Sequence, residues 1–453
     1  MSQVDTPTSG PDLPGPGDSG PGDSGPGDSG PGDSGPGDSE SAREQIRGRR
    51  LRSLRHLALL GPAFVAAIAY VDPGNVAANI TAGARYGFLL VWVLVVANLI
   101  AMLIQYQSAK LGIVTGRSLP GLLGERLGRR ARRSYWVQAE VVAIATDLAE
   151  VLGGAIALQL LFGLPLVLGG IIVGVISTLM LTLQNPRRQR TFESVILAML
   201  AIIVVGFLAG LVVNPPPVGD VLGGLIPRLH GPETVLLAAS MLGATVMPHA
   251  IYVHSALVVD RHGIAKTPER RKKLVRATRW DVVVALMIAG AVNIALLLLA
   301  AQNLRGKEGT DTIEGAYRAV ADTMGPGMAT AFAIGLLASG LASTSVGSSA
   351  GAVIMAGLLH KRIPLLVRRL VTLIPALVVL AVGVDPTWAL VLSQVLLSFG
   401  IPFAIIPLGR LTADRSIMGE FADGILLRIV ATVASAVIVL LNLALIVLVI
   451  TGG

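Results

Sequence analysis

Long apolar runs, separated by short polar and mostly basic segments, fill the chain from about residue 57 to its end. A helix needs roughly 20 apolar residues to cross a hydrocarbon layer about 30 Å thick. Eleven runs are predicted as membrane-spanning helices on that criterion: about 57–86, 88–113, 137–162, 164–184, 192–213, 235–259, 280–301, 328–358, 364–384, 387–409 and 424–450. Two of them are interrupted near their middles. Asp72, Pro73, Gly74 and Asn75 break the first; Gly243 and then Met247, Pro248 and His249 break the sixth. The pattern is that of an all-α polytopic membrane protein.

Composition agrees. Of 453 residues 53% are hydrophobic and 14% charged, which excludes an ordinary water-soluble globule. The first 40 residues differ in kind: "PGDSGPGDSGPGDSGPGDSGPGDS" has no core-forming side chain and a period of five, so residues 1–42 are expected to be a disordered tail rather than a collagen-like helix. That acidic start has no basic segment followed by an apolar one, so no cleaved signal peptide is expected. Residues 43–453 form the expected membrane domain, with one five-helix unit at about 56–214, a second at about 234–410 and an extra helix at about 424–450. Cysteine is absent, which removes disulfides, thiolate metal sites and thiol nucleophiles.

The net charge of +8 is placed by topology rather than by a nucleic-acid surface. Basic clusters precede the first run (Arg43 to Arg55) and follow the second (Arg126 to Arg133), the fourth (Arg187, Arg188, Arg190), the sixth (residues 261–279) and the eighth (Lys361, Arg362, Arg368, Arg369). Threading eleven spans alternately puts all of these on one side. The opposite loops are poor in Lys and Arg, so the positive-inside rule predicts a cytoplasmic N-terminus and an extracellular C-terminus.

Pro73 and Gly74 should unwind the first span at mid-membrane, where an unsatisfied carbonyl costs several kcal/mol and broken backbone survives only beside a cavity or ligand. A kink repaired by a neighbouring helix is the simpler reading of one break. Two breaks at the openings of two five-span units point instead to a binding site at an inverted-repeat interface. The groups expected there are the Asp72 carboxylate, the Asn75 amide oxygen, the Met247 thioether and freed carbonyls. Oxygens suit any divalent cation, whereas a thioether favours softer transition ions over magnesium or calcium. In the third span Glu140, Asp147 and Glu150 share one helical face, and intramembrane acids of this kind mark ion or proton paths or else structural ion pairs. His249 and His254 are further candidates to carry a proton, or else hydrogen-bonded core residues.

"DPGN" and "ATVMPHAIYVHSALV" resemble the two signature segments of the Nramp family (natural resistance-associated macrophage proteins), the proton-coupled manganese and iron transporters. "ATDLAEVLGG" (145–154), "ASGLASTSVGSSAG" (338–351) and "LSQVLLSFGIPFAIIPL" (392–408) are similar to family segments in the same order. The resemblance implies an eleven-helix, leucine-transporter-like fold with two inverted five-helix repeats and broken helices 1 and 6. It further implies metal ligands at the side chains of Asp72, Asn75 and Met247, the carbonyls of Ala69 and Ala244, and in some states Gln394. Asp72, Asp147, Glu150, His249 and Arg369 match its proton route, although Arg368 and Arg369 also read as topology anchors. The expected activity is import of Mn2+, and of Fe2+, with protons by alternating access in the plasma membrane, the metal being cargo and no cofactor being needed. The expected partners are divalent metal ions, protons and the lipid bilayer, with no nucleic acid and no obligate protein partner. A carrier of Mg2+ or an amino acid on the same fold is the alternative. A membrane metalloenzyme is a weaker one, because no HExxH pair occurs.

Overall fold

A computed structural model describes residues 62–181, 189–361 and 363–451. The repeat tail and the basic segment before the first span lie outside the described residues. Among those described, the regular structure is helical throughout.

The first expected run divides into α1 (Pro62–Ile68), a 3-10 turn (Ala69–Val71) and α2 (Pro73–Tyr86). Then follow α3 (Val91–Thr115), α4 (Leu119–Arg126), α5 (Arg129–Phe162), α6 (Leu166–Leu181), α7 (Gln189–Val213) and the short α8 (Val218–Gly223). The sixth run divides likewise, into α9 (Gly231–Thr245) and α10 (Pro248–His262). It is followed by α11 (Pro268–Asn303), α12 (Ile313–Met324), α13 (Pro326–Leu359), α14 (Leu365–Val382), α15 (Pro386–Ala413), α16 (Arg415–Met418) and α17 (Ile425–Thr451). With the short helices set aside, a broken helix followed by four long ones occurs twice in succession, and α17 is left over.

Seven helical segments among the described residues are long and apolar enough to cross a membrane, accompanied by shorter apolar helices at Pro62–Val71, Leu166–Met180 and Leu197–Val213. The first, fourth, fifth and ninth expected runs thus fall short of a full span within the described residues, and the expected count of eleven is not reached there. Several others overrun their apolar stretches. α5 begins at Arg129 and α11 at Pro268, because Arg and Lys are good helix formers and carry an apolar helix on into water.

Both second half-helices begin the same way, with Pro73 and Pro248 at their first position, where a missing N–H costs nothing and the fixed φ suits a helix. Asp72 caps α2 by accepting from Asn75 N–H at 2.7 Å. Around the breaks the long helices pack in close pairs: α13 along α5, α11 along α2 and α3, α9 along α15, and α10 along α3.

Small residues permit the closest of these approaches. A Cβ at Gly153 of α5 would overlap the Pro73 ring, and one at Gly243 of α9 would overlap the main-chain oxygen of Gln394 on α15. A side chain can rotate away; a backbone oxygen cannot. Gly243→Ala is therefore expected to push α9 off α15 and destabilise the fold by about 1–3 kcal/mol, read as a lower thermal unfolding midpoint in detergent. An unchanged midpoint would show that the crossing has slack.

Candidate functional site

Proline donates no hydrogen bond to the carbonyl four residues before it. Pro73 thereby deprives Ala69, and Pro248 deprives Ala244. Beside the first break, Asn293 Nδ2 donates to Tyr70 O at 2.7 Å and the Ser339 hydroxyl donates to Val71 O. At the second, Asn75 Nδ2 donates to Ala244 O at 2.9 Å. The same nitrogen donates to Asp72 Oδ1 at 2.9 Å, so one amide ties the two breaks together.

Acceptors are left over. Asp72 Oδ2, Asn75 Oδ1 and Gln394 Oε1 are buried and receive no hydrogen bond among the described residues. Gln394 lies between the breaks: its side chain occupies the space a Cβ at Gly74 would take, its main-chain oxygen abuts Gly243, and its Nε2 donates to Ser393 Oγ at 3.2 Å. Met247 is fully buried, in extended conformation immediately before Pro248. The C-terminal ends of the first half-helices also face the breaks and bring fractional negative charge.

Each buried acceptor without a donor costs about 1–3 kcal/mol, and three that cannot donate to one another are relieved together by a cation. The donor set is one carboxylate, two amide oxygens, main-chain carbonyls and one thioether. No group of three His, Asp or Glu placed to hold a metal ion occurs among the described residues, so a cation here would meet a mostly neutral cage.

The acids of α5 differ in their partners. Glu140 receives two contacts from the Arg368 guanidinium, at 2.9 and 3.2 Å. Asp147 lies 3.2 Å from Arg369 Nη1, while Arg369 Nη2 donates to Ser177 Oγ at 2.9 Å. Glu150 is fully buried and makes no ion pair among the described residues, its carboxylate facing Gly347 of α13. The neighbouring Thr344 hydroxyl donates to the Gly340 carbonyl at 2.6 Å. His249 Nδ1 is 3.2 Å from Thr146 Oγ1, one residue from Asp147, and its Nε2 has no hydrogen-bond partner among the described residues.

Two readings of Arg368 and Arg369 change. They belong to α14 rather than to a loop, are 6% and 1% exposed, and pair with acids of α5. They are not topology anchors. His254 is a hydrogen-bonded core residue: its Nδ1 is 2.6 Å from Gln105 Oε1, and Gln105 Nε2 donates to the Tyr70 hydroxyl.

Sequence reasoning missed Asn293 and Ser339, which hold the first break, and Thr245, whose buried hydroxyl beside Ala244 has no hydrogen-bond partner among the described residues. An amide inside the apolar run of α11 was the available signal for Asn293.

Two broken helices set at the head of two helix series, with orphaned acceptors between them, define a transporter of the leucine-transporter-like fold. A profile of the family described as "Natural resistance-associated macrophage protein-like" matches residues 63–448, and the chain belongs to this Nramp family. It is 60% identical over 394 residues to the divalent metal cation transporter MntH of Mycobacterium tuberculosis, covering 87% of this chain and 92% of that one. A crystal structure of a manganese transporter mutant from Eremococcus coleocola superposes with a TM-score of 0.78 at 32% identity, covering 86% of each chain. Mhp1, a nucleobase-cation-symport-1 family transporter, shares the fold alone, with a TM-score of 0.56 at 16% identity over 86% of this chain and 91% of its own.

Removing one member of a buried ion pair strands the other. Arg369→Leu is expected to cost about 3–5 kcal/mol, and Arg369→Leu with Asp147→Leu much less. Thermal unfolding of the single and double variants in detergent checks this; equal losses would mean that Asp147 is not held by Arg369.

Proposed function

We infer that this chain is a secondary active transporter that carries divalent transition metal ions, Mn2+ and also Fe2+, into the cell together with protons. It works by alternating access. The chain is a multi-pass membrane protein of a transporter family and not an enzyme. The observation that carries the cargo assignment is the set of three buried oxygens, on Asp72, Asn75 and Gln394, that accept no hydrogen bond among the described residues.

In this reading Asp72, Asn75 and Met247 supply side-chain ligands, Ala69 and Ala244 supply carbonyls, and Gln394 joins through Oε1. Ala244 O accepts from Asn75, so ion entry would turn that amide and exchange its nitrogen for its oxygen at the ion. Asp72 is the one anionic ligand. Met247 would set the selectivity, since sulfur contributes nothing to a hard ion and the cage without it offers little charge to offset dehydration.

Protons would pass from Asp72 toward α5, with Glu150, His249, Asp147 and Arg369 along the way. Glu150 is the natural carrier because it makes no ion pair among the described residues, and Arg369 would steady Asp147 as charge moves past. Residues 43–453 would form the transport unit, its repeats at about 56–214 and 234–410 rocking against one another, with residues 1–42 a tether. The basic segments would face the cytoplasm, leaving the N-terminus inside and the C-terminus outside. A membrane potential negative inside then draws each positive charge inward by about 2.3 kcal/mol per 100 mV.

The deciding experiment is Mn2+ uptake into proteoliposomes with a pH dye trapped inside. Wild type is expected to take up Mn2+ and acidify the lumen, and Asp72→Ala to do neither; robust uptake by that variant would remove Asp72 from the site. Met247→Ala is expected to keep most Mn2+ uptake while becoming several-fold more sensitive to Ca2+. A Ca2+ competition curve identical to wild type would mean that the thioether does not select.

A further inference from the structure

A cavity of about 370 Å³, open on one side, lies where the end of α15 meets the start of α17, with Gln107 of α3 behind it. It takes no part in the metal site. Its walls include two arginines, Arg410 and Arg428, and one acid, Asp423.

The acid is fully committed: the Lys110 ammonium pairs with Oδ1, and Gln107 Nε2 donates to Oδ2 at 2.8 Å. Asp423 is 4% exposed, so its charge is cancelled inside the protein. Arg428 is braced by two main-chain carbonyls, its Nε donating to Asp423 O at 2.8 Å and Nη2 to Ala413 O at 2.6 Å, which leaves Nη1 unclaimed among the described residues. Arg410 is exposed and makes no ion pair or hydrogen bond among the described residues. The cavity thus presents two guanidiniums without a counter-charge of its own.

The surface leading away from it is apolar. Phe403 and Ile406 share a helical stripe with Arg410 and are 48% and 38% exposed. On α17, Ile429 and Val433 flank the cavity-lining Thr432 and are 52% and 56% exposed. A soluble anion would explain the arginines but not this wall.

We propose that the cavity binds an anionic phospholipid, its phosphodiester between Arg410 and Arg428 and its acyl chains along the outer faces of α15 and α17. Arginine is suited to this role, its planar fork gripping phosphate oxygens in pairs. Basic pockets between membrane helices near the bilayer surface are also where such headgroups lodge. The assignment does not depend on the cargo.

Native mass spectrometry of the full chain, titrated with phosphatidylglycerol, phosphatidylcholine or inorganic phosphate alone, tests it. One phosphatidylglycerol is expected to be retained in preference to phosphatidylcholine. Retention should fall about fivefold in Arg410→Ala, and Arg410→Glu should lose the preference altogether. Arg410 is exposed and makes no hydrogen bond or ion pair among the described residues, so both variants should fold; Arg129→Ala, at an exposed arginine elsewhere, should behave as wild type. Equal retention of the two lipids, or unchanged phosphatidylglycerol binding in the Arg410 variants, would overturn the proposal. Inorganic phosphate binding at the same arginines and displacing the lipid would overturn it as well, because the occupant would then be a free anion.

Discussion

A main-chain carbonyl cannot be left bare inside a bilayer, and this chain opens such carbonyls repeatedly by placing proline within apolar helices. Pro73 and Pro248 expose Ala69 and Ala244 at the two central breaks. The same arithmetic recurs on α15. Pro402 frees the Ser398 carbonyl, which accepts from Asn442 of α17 at 2.9 Å, and Pro407 frees Phe403, which the Tyr252 hydroxyl approaches at 3.4 Å. In three of these four cases a side chain from another element stands in for the missing N–H. Such repairs tie several elements together, and the two central breaks lie where buried acceptors outnumber donors among the described residues.

Charge follows the same accounting. Each buried arginine of α14 faces an acid of α5, Arg368 the half-buried Glu140 and Arg369 the buried Asp147. Glu150, one helical turn beyond Asp147, is left out of this pairing. A helix that neutralises two of its three acids and not the third provides one position where a proton can balance charge without breaking an ion pair. That asymmetry sets Glu150 apart from two chemically similar residues of the same helix.

Much of this was legible beforehand. The broken runs, the Pro and Gly that break them, and the acids at helical spacing on α5 could be read because each is a polar or conformational anomaly in an apolar context. Arg368 and Arg369 were left open between topology anchors and partners of the α5 acids, because charge at the edge of an apolar run looks the same whether it snorkels outward or turns inward to an acid. Asn293, Ser339 and Thr245 were missed because their roles are acts of repair, and the defect each repairs lies far away in sequence. Gly74 reads as a helix breaker but works as clearance for Gln394, a distinction only the neighbour reveals.

α15 connects these themes. Gln394 touches both breaks at one point on this helix, and Arg410 stands 16 residues on, about 24 Å along the axis at about 1.5 Å per residue. Between them lie Pro402 and Pro407, so the segment joining the site to the membrane edge has lost two of its own hydrogen bonds and relies on Asn442 and Tyr252 instead. Side-chain repairs of this kind exchange partners more easily than a helical ladder does, because no main-chain turn must unwind. Tyr252 already illustrates the choice, its hydroxyl lying within reach of both Phe403 O and the Tyr135 hydroxyl. A helix so interrupted has fewer of its own hydrogen bonds to resist bending between Gln394 and Arg410.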